Sequence, residues 1–257
     1  MLSKNKIKLI RSLENKKFRE KENLFLIEGE KLIEELLLSG LNIQGIFATD
    51  QWIDKNAQAI NKFSNIVESV TPNEIERISL LKSPSPVVGL AEIPSFQLKK
   101  KSLENKLTLV LDSVQDPGNL GTIIRIADWF GIENIICSED SVDVYNPKVV
   151  QSTMGAIFRV KTHYMPLEEL FSMNKDLQLP VYGTLLDGDN IYDKKLSQSG
   201  LIIMGNESKG INPIYQQFIT DKLFIPFYPE GQKRSESLNV GIATAIVCAE
   251  FRRQAAR

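Results

Sequence analysis

The sequence predicts an α/β protein in two parts: a small N-terminal α/β domain over residues 1–95 and a larger domain over residues 107–257 built on a mostly parallel sheet. Three observations predict it. Apolar runs such as Leu107–Leu111, Asn134–Cys137 and Leu201–Gly205 read as strands buried on both faces, as in parallel sheets. Segments with helical spacing of apolar side chains lie between them, as strand-helix-strand units require. A polar stretch punctuated by Pro84, Pro86 and Pro94, and closing on Lys99-Lys100-Lys101, divides the two blocks and makes residues 96–106 a linker.

Residues 4–20 read as a helix carrying Lys4, Lys8, Arg11, Lys16, Lys17 and Arg19 against few acids. Such a face is either a solvated helix surface or a basic surface for RNA phosphates. Phe25-Leu26-Ile27 is a short strand. Glu30–Ser39 is a helix with Leu32, Ile33, Leu36 and Leu37 on one face, and Gly40 stands where a left-handed cap closes it. Ile43–Ala48 is a second strand. Thr71-Pro72-Asn73-Glu74 is a capping box with proline in the first turn, so a helix runs to about Leu81. Val87–Ile93 is an apolar strand that ends the block.

In the larger block the expected strands are Leu107–Leu111, Asn134–Cys137, Val181–Leu185, Leu201–Gly205 and Lys222–Phe227. The expected helices are Leu120–Phe130, Pro147–Ile157, Pro166–Met173, Pro213–Phe218 and Ser237–Gln254. No internal repeat or low-complexity tract interrupts them.

Composition narrows the function. The 257 residues carry a net charge of -1, so any nucleic-acid surface must be a local patch. Cys137 and Cys248 lie far apart with no CxxC pattern, which disfavours a disulfide framework and a zinc site and fits a reducing cytoplasm. No apolar stretch approaches the ~20 residues of a membrane span. Met1-Leu2-Ser3-Lys4-Asn5-Lys6 has no apolar core behind it, so a signal peptide is not expected. The single histidine, His163, follows Val160-Lys161-Thr162 in a strand or strand exit and reads as a surface or loop imidazole. With one histidine, a histidine triad and a histidine metal cluster are not available.

Three segments concentrate the chemistry. Asp116-Pro117-Gly118-Asn119-Leu120-Gly121-Thr122-Ile123-Ile124-Arg125 follows a strand and opens a helix. Ile202-Ile203-Met204-Gly205-Asn206-Glu207-Ser208-Lys209-Gly210 is a strand running into a glycine-flanked turn. Ser237-Leu238-Asn239-Val240-Gly241-Ile242-Ala243 begins the last helix. In this order and near the C-terminus, they resemble the three signature motifs of the SpoU (TrmH-like) family of RNA ribose 2'-O-methyltransferases, of the SPOUT class. The match spans roughly residues 107–257. Leu26-Ile27-Glu28-Gly29-Glu30-Lys31-Leu32 looks like the start of the family's small substrate-binding domain.

The resemblance implies a mostly parallel sheet with a deep C-terminal trefoil knot, although strand-connection rules alone draw an unknotted sheet. It also implies S-adenosylmethionine as cofactor and a homodimer whose sites are completed near the subunit interface, and the apolar positions Ile242, Ala245, Ile246, Cys248 and Ala249 of the last helix suit a buried or interface element. By the same resemblance, backbone around Gly205, Ile225 and Leu238 holds the adenosyl group. Gly183 and Thr184 lie beside it, and Gly210 and Pro226 shape the turns.

Methyl transfer to a ribose needs the 2'-hydroxyl in line with the methyl group and sulfur, with its proton removed or its developing charge stabilised. Arg125 is the expected catalytic residue. Neutralising a guanidinium of reference pKa ~12.5–13.8 at pH 7 costs about 7.5–9 kcal/mol. Orienting and stabilising the alkoxide is therefore the favoured role, and a base role requires strong desolvation. The plain alternative for Arg125 is an ion pair with Asp128, three residues on. Asn119 is positioned to fix Arg125 or the target ribose, or simply to cap its helix. Glu207, Ser237 and Asn239 complete the expected set, with Ser237 also a candidate cap for the last helix. Two features depart from the family pattern. Ser208 stands where many relatives have glycine, and the segment Phe227–Glu236, with Tyr228, Pro229, Gly231, Lys233 and Arg234, is longer than usual.

The function that follows is 2'-O-methylation of RNA, ribosomal RNA ahead of transfer RNA, with no metal and no membrane partner. A non-catalytic RNA-binding protein on the same fold would be expected to lack part of the catalytic set, which is complete here. A nicotinamide or nucleotide enzyme would require a GxGxxG fingerprint or a P-loop, and neither occurs.

Overall fold

A computed structural model describes residues 1–228 and 237–255. In chain order it forms helices α1 (Lys4–Ser12) and α2 (Lys16–Glu22), strand β1 (Leu24–Glu28), α3 (Glu30–Leu38), β2 (Ile43–Ala48), α4 (Asp50–Lys55), α5 (Ala57–Ile60), β3 (Val67–Ser69), α6 (Pro72–Ile78) and β4 (Val87–Glu92). There follow β5 (Leu107–Leu111), α7 (Pro117–Trp129), β6 (Asn134–Cys137), α8 (Pro147–Thr153), β7 (Lys161–Tyr164), α9 (Leu167–Leu177) and β8 (Val181–Asn190). The chain ends with β9 (Gly200–Met204), α10 (Pro213–Gln216), β10 (Asp221–Phe224) and α11 (Val240–Ala255).

Two compact units result: Met1–Ser95 with Asp143–Arg159, and Phe96–Val142 with Val160–Arg257. The first holds a four-stranded sheet in the order β1-β4-β2-β3, with β4 antiparallel to both neighbours and β2 parallel to β3. Its core gathers Ile10, Leu13, Leu26, Phe47, Ile78 and Val88. The expected single helix over residues 4–20 is two. Leu13 is buried, and Asn15 starts the second helix by accepting the Lys17 amide at 3.0 Å. The capping box at Thr71 and Glu74 forms as expected, and Gly40 takes a left-handed φ of 73° after α3. The sequence reading missed β3 and the helical stretch over residues 50–63, which carry few buried apolar side chains.

One basic residue leaves the exposed basic face read over residues 4–20. Arg19 is buried, donating to the Leu13 and Glu14 carbonyls and paired with Asp143. Arg11 donates to the Ser79 carbonyl at 2.5 Å, while Lys4, Lys8 and Lys17 remain exposed. The segment Asp143–Arg159 joins this unit through that ion pair, through Phe25 against Tyr145 (ring centroids 4.8 Å apart) and through Arg159 on Glu35. Chain order alone placed these residues with the larger block. The helix expected over Pro147–Ile157 stops at Thr153, because Met154 and Gly155 both turn left-handed, at φ 51° and 95°.

The second unit is a six-stranded sheet in the order β10-β8-β9-β5-β6-β7, with every pairing parallel. Strands β5, β6 and β9 are buried along their whole length, which explains their unbroken apolar sequence. Val110, Ile136, Leu201 and Ile203 pack against Leu167, Leu170 and Phe171 of α9. His163 lies buried in β7 with Nε2 3.2 Å from Asn134 Oδ1, not at the surface as its sequence context suggested, and burial pushes its pKa down. Among the described residues, no helix is long and apolar enough to cross a membrane, and no group of three potential metal ligands forms.

Glu28 is a buried acid of the first unit. It accepts from the Ser79 hydroxyl and from the Leu80 amide at 3.0 Å. Burial pushes its pKa up, against the opposing pull of those bonds and of Arg11. A carboxyl raised in the folded state contributes stability that is present below its unfolded pKa and lost as pH rises through its folded pKa. Relative to Glu28→Gln, wild type should therefore lose thermal stability as pH rises above about 4. Parallel melting curves across that range test it, and a constant difference would contradict the assignment.

Candidate active site

Strand order locates the site. From β5 the chain passes through α7 to β6 on one side, and from β9 it passes through α10 to β10 at the opposite edge. β5 and β9 are neighbours, so their exit loops diverge, and open α/β sheets bind ligands in the crevice at such a switch point. The three chemistry-bearing segments meet there.

The first segment starts at the end of β5. Asp116 caps α7, its carboxylate accepting the Asn119 amide at 2.8 Å, and Pro117 occupies the first turn. The helix thus begins three residues before the expected Leu120. Because Asp116 does the capping, the Asn119 side chain is left for other work. Its Nδ2 donates to Glu207 Oε1 at 2.9 Å, and its Oδ1 accepts from Asn239 Nδ2 at 2.8 Å. The orientation of Asn239 is set in turn by α11, since Asn239 Oδ1 accepts the Gly241 and Ile242 amides at 2.9 and 3.2 Å. Asn239 therefore fills the capping role considered for Ser237, and the helix starts at Val240. Every amide in this chain of bonds has one permitted orientation, running from the helix amides to the Glu207 carboxylate.

The second segment is a closed turn. Asn206 and Gly210 exchange backbone bonds of 3.0 and 2.9 Å, and Gly210 takes a left-handed φ of 69°. A Cβ on Gly205 would lie 2.2 Å from the Gly210 carbonyl carbon, so glycine there is demanded by the turn itself. A Cβ on Gly183 would fall 2.3 Å from Ile219 Cδ1, so a larger residue there requires the Ile219 side chain to move. Gly183 sits on β8 beside Ile203, and the next residue, Thr184, donates to the Ile203 carbonyl at 3.1 Å. Ile225 and Pro226 follow β10, half-buried. Ser237 and Leu238 are exposed just ahead of α11.

The structure therefore bonds Asn119, Glu207 and Asn239 into one cluster and leaves Arg125 and Ser237 outside it. Arg125 is exposed on α7, six residues and about 9 Å of helix rise beyond Asn119. Among the described residues nothing pairs with it, so the ion pair with Asp128 considered above does not form. Tyr228 is exposed, while Pro229, Gly231, Lys233 and Arg234 of the longer segment lie outside the described residues. Sequence reasoning missed Asp112, Ser113 and Asn206, which tie the turn to the exit of β5. An asparagine opening a glycine-closed turn was the available signal for Asn206. Asp112 is buried and accepts the Asn212 amide at 2.6 Å, and burial pushes its pKa up.

With this geometry in view, the comparisons identify the family. The chain belongs to the SpoU rRNA methylase family, whose model matches residues 106–249, and residues 4–89 match an MRM3-like substrate binding domain. Over 253 residues it is 31% identical to the 23S rRNA (guanosine(2553)-2'-O)-methyltransferase RlmP of Bacillus subtilis (strain 168), covering 96% of each chain. Among solved structures it resembles a TrmH-family protein from Porphyromonas gingivalis, at TM-score 0.86, 37% identity and 99% coverage of both chains. It also resembles the AdoMet-bound rRNA methyltransferase from Sinorhizobium meliloti, at TM-score 0.86 and 28% identity, covering 98% of this chain and 97% of that one.

Because the Gly205 site has no room for a methyl group, Gly205→Ala should open the turn and cost roughly 1–3 kcal/mol of stability. Chemical denaturation measures that cost, and a loss below about 0.5 kcal/mol would mean the turn relaxes freely.

Proposed function

We propose that this chain transfers the methyl group of S-adenosylmethionine to the 2'-hydroxyl of a ribose in ribosomal RNA. The observation that carries the proposal is the hydrogen-bonded cluster of Asn119, Glu207 and Asn239, which unites three distant segments at the sheet's switch point. The residues assigned to the cofactor suit an adenosyl donor. Ile225, Pro226 and Leu238 supply apolar surface for an adenine, the Gly205–Gly210 turn and Gly183-Thr184 supply backbone edges, and the cluster itself contains a carboxylate and no cation that would repel a sulfonium. When bound, the cofactor supplies an electrophilic methyl group. The chain's own part is to orient the ribose hydroxyl and stabilise its developing negative charge.

Arg125 is the group proposed for that stabilisation, with Ser237 helping to orient the site. Arg125 shares an exposed stripe of α7 with Gly118, Thr122 and Trp129, at spacings of four, three and four residues. Trp129 is 85% exposed, and Ile242 on the adjoining α11 is 55% exposed. Apolar side chains this open suit a two-fold subunit contact, which would bring Arg125 of one protomer to the site of the other. The proposal therefore includes a cytoplasmic homodimer, a knotted C-terminal segment, and RNA selection by the N-terminal domain through Lys4, Lys8 and Lys17. Ribosomal RNA is preferred to transfer RNA because of the relatives' substrates.

Mapping 2'-O-methyl marks in total RNA tests the activity. Cells lacking the protein should lose a ribosomal mark that wild type restores and Arg125→Ala does not, while that variant keeps S-adenosylhomocysteine affinity within about threefold by calorimetry. Full restoration by Arg125→Ala would remove the residue from the mechanism, and loss of a transfer RNA mark instead would move the substrate. Light scattering should give a dimer for wild type and a monomer for Trp129→Lys, and an active wild-type monomer would refute the shared site.

A further inference from the structure

We propose that Ser113 and Asn206 form a latch that holds the Glu207 turn against the exit of β5, making both of them positioning residues for methyl transfer. The inference rests on the reading that Glu207 belongs to the active site.

Ser113 is a non-glycine residue in the left-handed region, at φ 56°, two residues past the end of β5, one of the sheet's two central strands. That conformation disfavours any side chain unless the surroundings hold it there. All of its polar groups are engaged. Its amide donates to Ser138 Oγ at 2.8 Å, its hydroxyl to Asp140, and its carbonyl accepts Asn206 Nδ2 at 2.8 Å. The inverted backbone is what turns that carbonyl toward the neighbouring loop. Asn206 is equally committed, because its Oδ1 accepts the Ser208 and Lys209 amides, both at 3.0 Å. The side-chain amide thus clamps the turn internally with its oxygen and anchors it externally with its nitrogen. Glu207 sits between those two functions, and its carboxylate then meets Asn119 at 2.9 Å. The backbone bonds between Asn206 and Gly210 preserve the turn's shape without the latch, but they do not fix its position relative to β5. Losing the latch should shift Glu207 against Asn119 while leaving the fold intact.

The test uses the full chain, with labelled S-adenosylmethionine and total RNA from cells lacking the protein. Asn206→Ala and Ser113→Val, which removes the hydroxyl and resists a left-handed backbone, should each lower kcat by about ten- to a hundredfold. KM for RNA should stay within about threefold. The amides of residues 206–210 should exchange hydrogen about tenfold faster. Ser113→Gly suits the same backbone and should rescue both readouts to within about threefold of wild type. If Asn206→Ala fails to fold, Asn206→Asp keeps the acceptor oxygen and replaces the donor to Ser113 with an anionic oxygen that the carbonyl repels. Unchanged exchange in the Asn206 variants overturns the latch, faster exchange with unchanged kcat overturns its positioning role, and Ser113→Gly as damaging as Ser113→Val overturns the role of the backbone. If wild type itself methylates no RNA, the reading of the site fails, and the exchange measurements still decide whether the latch exists.

Discussion

The arrangement of the candidate site depends on a single side-chain amide. Asn119 stands between Glu207 on one side and Asn239 on the other, so it joins the exit of β5, the turn after β9 and the start of α11. A primary amide has distinct donor and acceptor ends, so it can serve both partners in only one orientation. The amides opening α11 fix Asn239, Asn239 fixes Asn119, and Asn119 presents its nitrogen to the carboxylate. A turn, a helix start and a strand exit are thereby held in one register by groups that are fully committed to one another.

Packing stiffens the same frame. α11 runs alongside α7 and grips it near both ends. Asn239 bonds Asn119 in the first turn, and Arg252 donates to the carbonyls of Phe130 and Gly131, at 2.7 and 3.1 Å, just past the last turn. A cation on exposed helix carbonyls is favourable both as a hydrogen-bond donor and through the helix dipole. Gly241 allows close approach, since a Cβ there would stand 3.2 Å from Thr122 Cγ2. The helix that carries Arg125 is therefore fixed by the same C-terminal helix that orients Asn239, and the two contributions to the proposed chemistry share one mechanical support.

The N-terminal unit treats charge differently from its sequence. A run of basic residues looks uniform when read in order, yet Arg19 is spent inside on carbonyls and Asp143, Arg11 reaches the Ser79 carbonyl, and only part of the run stays open to solvent. The chain's net charge near neutrality leaves the remaining exposed lysines as a local feature. Glu28, at the end of β1, is used to hold the Ser79-Leu80 loop.

By itself the sequence determined the alternating α/β plan, the buried parallel strands and the identity of the three chemistry-bearing segments. Apolar runs such as Leu107–Leu111 and local signals such as the Thr71 capping box report on backbone and burial within a few residues, and those forces are local. Glu207, Asn119 and Asn239 could be picked out as chemical groups for the same reason. Only the tertiary structure decided their use. It made Asp116 rather than Asn119 the cap of α7, gave Asn239 rather than Ser237 the start of α11, and turned Gly205 into a packing requirement of the chain. It also buried His163 and Arg19, inverted the backbone at Ser113, and drew residues 143–159 into the first unit. Each of these outcomes depends on a partner far away in the chain, and a hydrogen bond or a steric limit between distant residues leaves no periodic trace in the sequence.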